Sequence, residues 1–314
     1  MDKKISNIVF TRNRPLQLHA YLGSLHRYFP SRLFETYILY KEELFSEEYN
    51  AVFRLFPDCV VVREAEFHSD LIKILNGIHT KHLLFGIDDV VVFDSVDFDL
   101  IEGALADHPD DAFGFSLRLG REFVAKGGDN VEEVTIAGRH LFRINWSLAR
   151  TKTTQYPFEL CATAYPTALV RRVVASTMCA NPLARRLFLP ASPLVRALAK
   201  VTSTRRLLKA FGYFFDPNTF ESWNCRWCRA HAAEVPGYLY FQKQCCSAMQ
   251  INVVNTSTRS EPDGTTEHAV EALNEKYRQG YRLDIDYIAA NKPRRPHCGK
   301  ESFRLVRGQA TESS

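Results

Sequence analysis

From Asn7 to Ile87 the chain alternates short β-branched apolar runs with amphipathic segments, and this alternation constrains the fold more than any other feature. Asn7 to Phe10, Thr36 to Tyr40, Cys59 to Val62 and Leu83 to Ile87 are apolar runs between polar flanks, the pattern of buried strands. Between the first two, Leu18, Leu22, Leu25 and Phe29 recur at three- and four-residue spacing, which predicts an amphipathic helix that Pro30 ends. Glu47 to Phe56 predicts a second helix, and Phe67, Leu71, Ile74, Leu75 and Ile78 a third. Crossovers of this length let successive strands pair in parallel. The expectation is half of a doubly wound, Rossmann-type α/β sheet with helices on both faces. If the strand order runs 3-2-1-4, strands one and four meet where the order reverses. Ligands bind there, at the carboxyl ends of the strands.

Those ends carry chemistry. Strand one opens into Thr11-Arg12-Asn13-Arg14-Pro15, and strand four into Asp88-Asp89 before a second apolar run, Val90 to Phe93. Carboxylates leaving a core must reach solvent, a cation or a hydrogen-bond donor. A hard divalent ion held by one or two carboxylates and substrate phosphates suits such a pair; a turn with two solvated acids is the plainer reading. Pro15 fits a first helical turn with Asn13 as its cap, so a helix N-terminus and two arginines would face the acids across one cleft. That cleft suits a nucleoside diphosphate plus a divalent metal. Residues 11 to 16 contain no glycine, so the dinucleotide fingerprint of NAD or FAD sites is absent. Asp70 and Lys73, near the start of the third helix, would face the same crevice or be ordinary helix-end charges.

A chain of 314 residues can bury one large core or two small ones. A net charge of only +4 argues against a nucleic-acid partner. No stretch is apolar for the ~18 residues a membrane span needs. The first apolar run is too short for a signal-peptide core, which gives a cytoplasmic expectation. Eight cysteines form no regular framework; Cys225, Cys228, Cys245 and Cys246 are poorly spaced for zinc and read as reduced thiols. Residues 161–215 hold nine Lys and Arg and no Asp or Glu, interleaved with Leu187-Phe188-Leu189 and Phe214-Phe215. Such a basic helical insertion either lies on an anionic membrane surface, placing the chain at the inner face of the membrane, or turns solvated arginines to water.

A strand ending in Thr-Arg-Asn-Arg-Pro-Leu, followed at this distance by an apolar strand ending in Asp-Asp, resembles a GT-A glycosyltransferase. It is most similar to the family-2-like bacterial group that builds surface polysaccharides. Tyr156-Pro157-Phe158-Glu159 with Ala164-Tyr165-Pro166-Thr167, Asp216 to Glu221, Ile251 to Thr256, and Leu273-Asn274 through Asp284 to His297 resemble further segments of that group. The resemblance implies a nucleotide-sugar-binding half (1–120), an acceptor-binding half (121–303, with 161–215 as the basic insertion) and a flexible tail (304–314). It implies transfer from a nucleotide-sugar donor to a glycan or lipid-linked acceptor, with manganese or magnesium as cofactor. Thr11, Arg12, Asn13, Arg14, Asp70, Lys73 and Asp88 would bind the donor. Asp89 and His297 would hold the metal, although this group usually shows Asp-x-Asp or three acids where the chain has Asp88-Asp89-Val90. Glu221, expected at a helix start where the dipole favours its charged form, is the candidate base, and Glu159 the second candidate. A nucleotidyltransferase, or a non-catalytic partner in a polysaccharide assembly complex, would share the fold.

Overall fold

The structure, a computed structural model, describes residues 3–107, 113–136, 138–178, 201, 208, 212–235, 237–252 and 266–308. It opens with the expected alternation: β1 (Ile5–Arg12), α1 (Pro15–Tyr28), β2 (Phe34–Lys41), α2 (Ser46–Leu55), β3 (Val60–Arg63), α3 (Phe67–Gly77) and β4 (His82–Ile87). β1 pairs in parallel with both β2 and β4, and β2 with β3, so the order is 3-2-1-4. β1 is buried on both sides. Ile5 and Val9 join a core with Leu18 of α1 and Tyr49 and Val52 of α2; Ile8 and Phe10 join a second core with Leu71 of α3. Period-two side chains thus feed two helical layers from one strand.

Past β4 the chain stops following the parallel rule. β5 (Val90–Val92), α4 (Phe98–Asp107), β6 (Gly114–Ser116), α5 (Arg121–Lys126), β7 (Glu132–Ile136), β8 (Arg139–Asn145), β9 (Thr163–Pro166), α6 (Thr167–Met178), α7 (Pro217–Ala230), β10 (Gly237–Tyr240) and β11 (Cys246–Met249) follow. β9 inserts antiparallel between β4 and β6, and the full sheet reads β3-β2-β1-β4-β9-β6-β10-β8-β7. The sheet therefore runs across the 120/121 boundary. The last elements are α8 (Val270–Arg278), β12 (Tyr281–Leu283), α9 (Ile285–Ala290), β13 (His297–Cys298) and β14 (Leu305–Arg307). A small sheet, β13-β11-β5, fixes the strand that leaves the acidic pair. β14 pairs antiparallel with β12, and Leu305 packs on the core; of the segment 304–314 expected as a tail, residues 309–314 lie outside the described residues.

Most of the basic segment 161–215 also lies outside the described residues. Its described start is structural. Arg171 of α6 donates to the carbonyls of Leu75 and Ile78 at the end of α3, and Arg172 pairs with Glu234 at 3.2 Å.

Candidate functional site

Asp88 and Asp89 occupy the turn between β4 and β5, beside the end of β1; the Asp88 amide donates to Phe10 O at 3.2 Å. Met249 N donates to Asp89 O at 2.7 Å, so β11 holds the second acid's backbone. A relay of donors converges on Asp88. Arg14 N donates to Tyr49 Oη (3.0 Å), Tyr49 to Thr11 Oγ1 (2.9 Å), and Thr11 to Asp88 Oδ2 (2.8 Å). Thr11's proton is engaged by the carboxylate, so the tyrosine must be the donor between the two hydroxyls. Arg14 Nη1 donates to Asp88 Oδ1 at 2.9 Å and lies 3.7 Å from Asp89 Oδ2, while Nη2 donates to Asn252 O. Burial pulls the Arg14 guanidinium down; Asp88 and Asp89 more than reverse that, and it stays charged.

Three of the pair's four carboxylate oxygens are thereby engaged, and Asp89 Oδ1 is buried with no hydrogen-bond partner among the described residues. Burial pushes the Asp89 carboxyl up to about 7, with Asp88 adding to the rise and Arg14 opposing it. This is the state of an acid that lacks a counter-ion at one oxygen. Among the described residues no three His, Cys, Asp or Glu side chains converge as a ready-made metal cage. Magnesium-type ions need none when the substrate brings phosphates, and one buried carboxylate oxygen without a hydrogen-bond partner fits that mode.

The other arginine of the loop turns away. Asn13 sits in the left-handed region (φ 53°), and Arg12 forms a bidentate pair with Glu43, with contacts of 2.9 to 3.2 Å. Asn13 does not cap α1. Its carboxamide oxygen accepts from the amides of Glu43 and Leu44 at 3.0 and 3.1 Å, closing the loop after β2. Asp70 is likewise occupied: Oδ2 accepts from Ala65 N and Glu66 N, both at 2.8 Å. Lys73 is 67% exposed and lies 3.6 Å from Asp70. These two stabilise the start of α3.

α7 begins as expected. Asp216 is its N-cap, Pro217 its first residue, and Thr219 completes a capping box. Glu221 therefore falls in the second turn, and its charge is not favoured by the helix end. Burial raises its pKa, against hydrogen bonds from Leu160 N (2.9 Å) and Tyr156 Oη (3.0 Å) and the charge of Arg118. Glu159 accepts from Ser116 Oγ (3.1 Å) and from Thr163, and forms a buried ion pair with Arg118. Arg118 Nη1 also contacts His297 Nε2. Burial, then Arg118, lowers His297 to about 4, so its ring is neutral and its Nε2 lone pair faces the guanidinium. Ligating a metal through that nitrogen would require Arg118 to release it.

Sequence reasoning missed Arg118, although an arginine between Leu117 and Leu119, shortly after Phe115, signals a charge that must find a partner if buried. It also missed Cys161. Burial pushes that half-buried thiol up, with Arg118 opposing the rise and Glu221 and Asp89 adding to it. Tyr49, a helix residue, carried no signal, and Asn252 lay in the singled-out segment Ile251 to Thr256 without its backbone contact to Arg14 being foreseen.

No protein-family model matches the chain. Among solved structures it is similar to TarS of S. aureus, at 16% identity over 54% of this chain and 29% of TarS, with a TM-score of 0.38. TarS 1–349 in complex with UDP gives 17% identity, 54% and 48% coverage and a TM-score of 0.38. In sequence the chain is similar to the bifunctional glycosyltransferase pgtA of Dictyostelium discoideum, 23% identical over 187 residues, which cover 52% of this chain and 24% of that protein's length.

Proposed function

We propose that this chain is a GT-A-like glycosyltransferase that moves a sugar from a nucleoside-diphosphate sugar to a hydroxyl of a glycan or lipid-linked glycan, as in surface-polysaccharide synthesis. A divalent cation, manganese or magnesium, would be held at Asp89. The observation that carries this reading is the acidic pair at the strand-order reversal, with three oxygens partnered and Asp89 Oδ1 left open. The similarity to pgtA, whose name describes glycosyl transfer, supports the reaction class.

When bound, the cation would neutralise charge on the departing diphosphate. Asp88, fixed by Thr11 and Arg14, keeps Asp89 and Arg14 in register. In a direct displacement the bond from the anomeric carbon to the diphosphate oxygen breaks as the acceptor oxygen bonds to that carbon. The acceptor's proton passes to Glu221, whose carboxylate is made more basic than usual by burial. Tyr156 and Leu160 N hold that carboxylate in place. Glu159 is the positioning partner of Arg118, its oxygens already filled.

A thermal-shift screen of UDP, GDP and dTDP sugars with manganese or magnesium, and CMP sugars as the monophosphate contrast, tests the reading. One nucleoside-diphosphate sugar should stabilise the fold by about 2.7 kcal/mol at 100 times its Kd. The metal-dependent part should vanish in EDTA and in Asp89→Ala. No stabilisation by any of them would overturn the assignment.

A further inference from the structure

Arg14 sets the charge of the acidic pair as well as its geometry. Its guanidinium is buried 2.9 Å from Asp88 and 3.7 Å from Asp89, anchored from behind by the Asn252 carbonyl. The second buried guanidinium of the cleft, on Arg118, is offset by its own partner, Glu159. Two carboxylates against one uncompensated cation leave the pair with one net negative charge and one open oxygen. Divalent sites gain affinity with the number of charged oxygen ligands, and ions of the magnesium type are completed by substrate phosphates. A site this sparse holds a divalent ion weakly until phosphate oxygens join it.

We infer that Arg14 makes cation binding conditional on the diphosphate, so that the metal binds with the donor rather than ahead of it. The inference rests on the donor reading above, but its test needs neither donor nor turnover. Manganese alone is titrated at pH 8 into the wild-type protein, Arg14→Gln and Arg14→Lys, with free ion followed by its electron paramagnetic resonance signal and folding checked by circular dichroism. Arg14→Gln should bind manganese at least about tenfold tighter than wild type, the equivalent of 1.4 kcal/mol. Arg14→Lys, which keeps the charge, should stay nearer to wild type than to Arg14→Gln. A smaller gain in Arg14→Gln, weaker binding, or an equal gain in the lysine variant overturns the inference. If the glutamine variant does not fold, the wild type decides alone. A Kd for manganese weaker than about 100 µM without nucleotide supports the inference, and a tighter one overturns it. Failure of the donor reading would show separately, as no stabilisation by any nucleotide sugar in the thermal-shift screen.

Discussion

Asn13, left-handed at φ 53°, turns the chain between Arg12 and Arg14, and the two guanidiniums part: one to Glu43 at the surface, the other to the buried acids. The loop was legible in the sequence as a cation-rich strand end facing Asp88-Asp89. Which arginine faced them was not, because that depends on one backbone dihedral and on the position of Glu43. The pair itself was legible because two acids between apolar runs have few places to go. Its ionisation was not, since it depends on burial and on Arg14. Asp89, pushed up to about 7, binds its proton more tightly in the fold than in the unfolded chain, where a carboxyl titrates near ~3.9. Its contribution to stability is therefore fully present below about pH 4 and is lost as pH rises through about 7. In EDTA, Asp89→Asn should melt above wild type at pH 8 and level with it at pH 4. A wild type that melts as high as the variant at pH 8 would mean that Asp89 carries no such burden.

Glu221 shows how much of an element the sequence can reveal. Cap, proline and helix start were correctly read from Asp216 to Thr219, but the partners that Glu221 reaches, Tyr156 and Leu160, lie 65 and 61 residues earlier in the chain. Glu221→Gln keeps an acceptor for Leu160 N and a polar partner for Tyr156, so the fold and donor binding should survive. Turnover should fall by about a hundredfold or more, as for loss of a general base. Near-normal single-turnover rates would remove it from the chemistry. The parallel strands were legible for a related reason: each βαβ unit is written in local periodicity. β6 and β9, three and four residues long, are too short to show a period, and the place of β9 beside β4 and of β6 beside β9 is fixed by pairing across distant segments. Close packing within the parallel half is equally invisible in the sequence. A Cβ at Gly86 of β4 would lie 2.1 Å from the Tyr21 hydroxyl, which donates to buried Asn7 Oδ1 at 2.7 Å. Gly86→Ala should push Tyr21 off Asn7 and destabilise the fold by about 1–3 kcal/mol, measured by chemical denaturation. Adding Tyr21→Phe, which removes the hydroxyl from that clash, should recover part of the loss.

The charge of the chain is uneven in a way that its net value of +4 hides. Of nine cations in residues 161–215, Arg171 is engaged by carbonyls of α3 and Arg172 by Glu234, so nine less two leaves seven, all outside the described residues. Among the described residues no helix is long and apolar enough to cross a membrane. We propose that these seven cations bring the protein reversibly to an anionic bilayer, each contributing up to about 1 kcal/mol near a negative surface. Leu187-Phe188-Leu189 supplies apolar groups that could insert once charge has brought the segment down. Such binding would confine the search for a lipid-linked acceptor to two dimensions. Co-sedimentation with vesicles should show binding to anionic but not to neutral lipid. Raising salt to ~1 M shortens the Debye length to about 3 Å and should release the protein. Replacing Arg185, Arg186, Arg205 and Arg206 with Gln should lower binding at low salt. Binding that ignores salt, or none to anionic vesicles at low salt, would remove the membrane from the proposal and leave a soluble glycan as the acceptor.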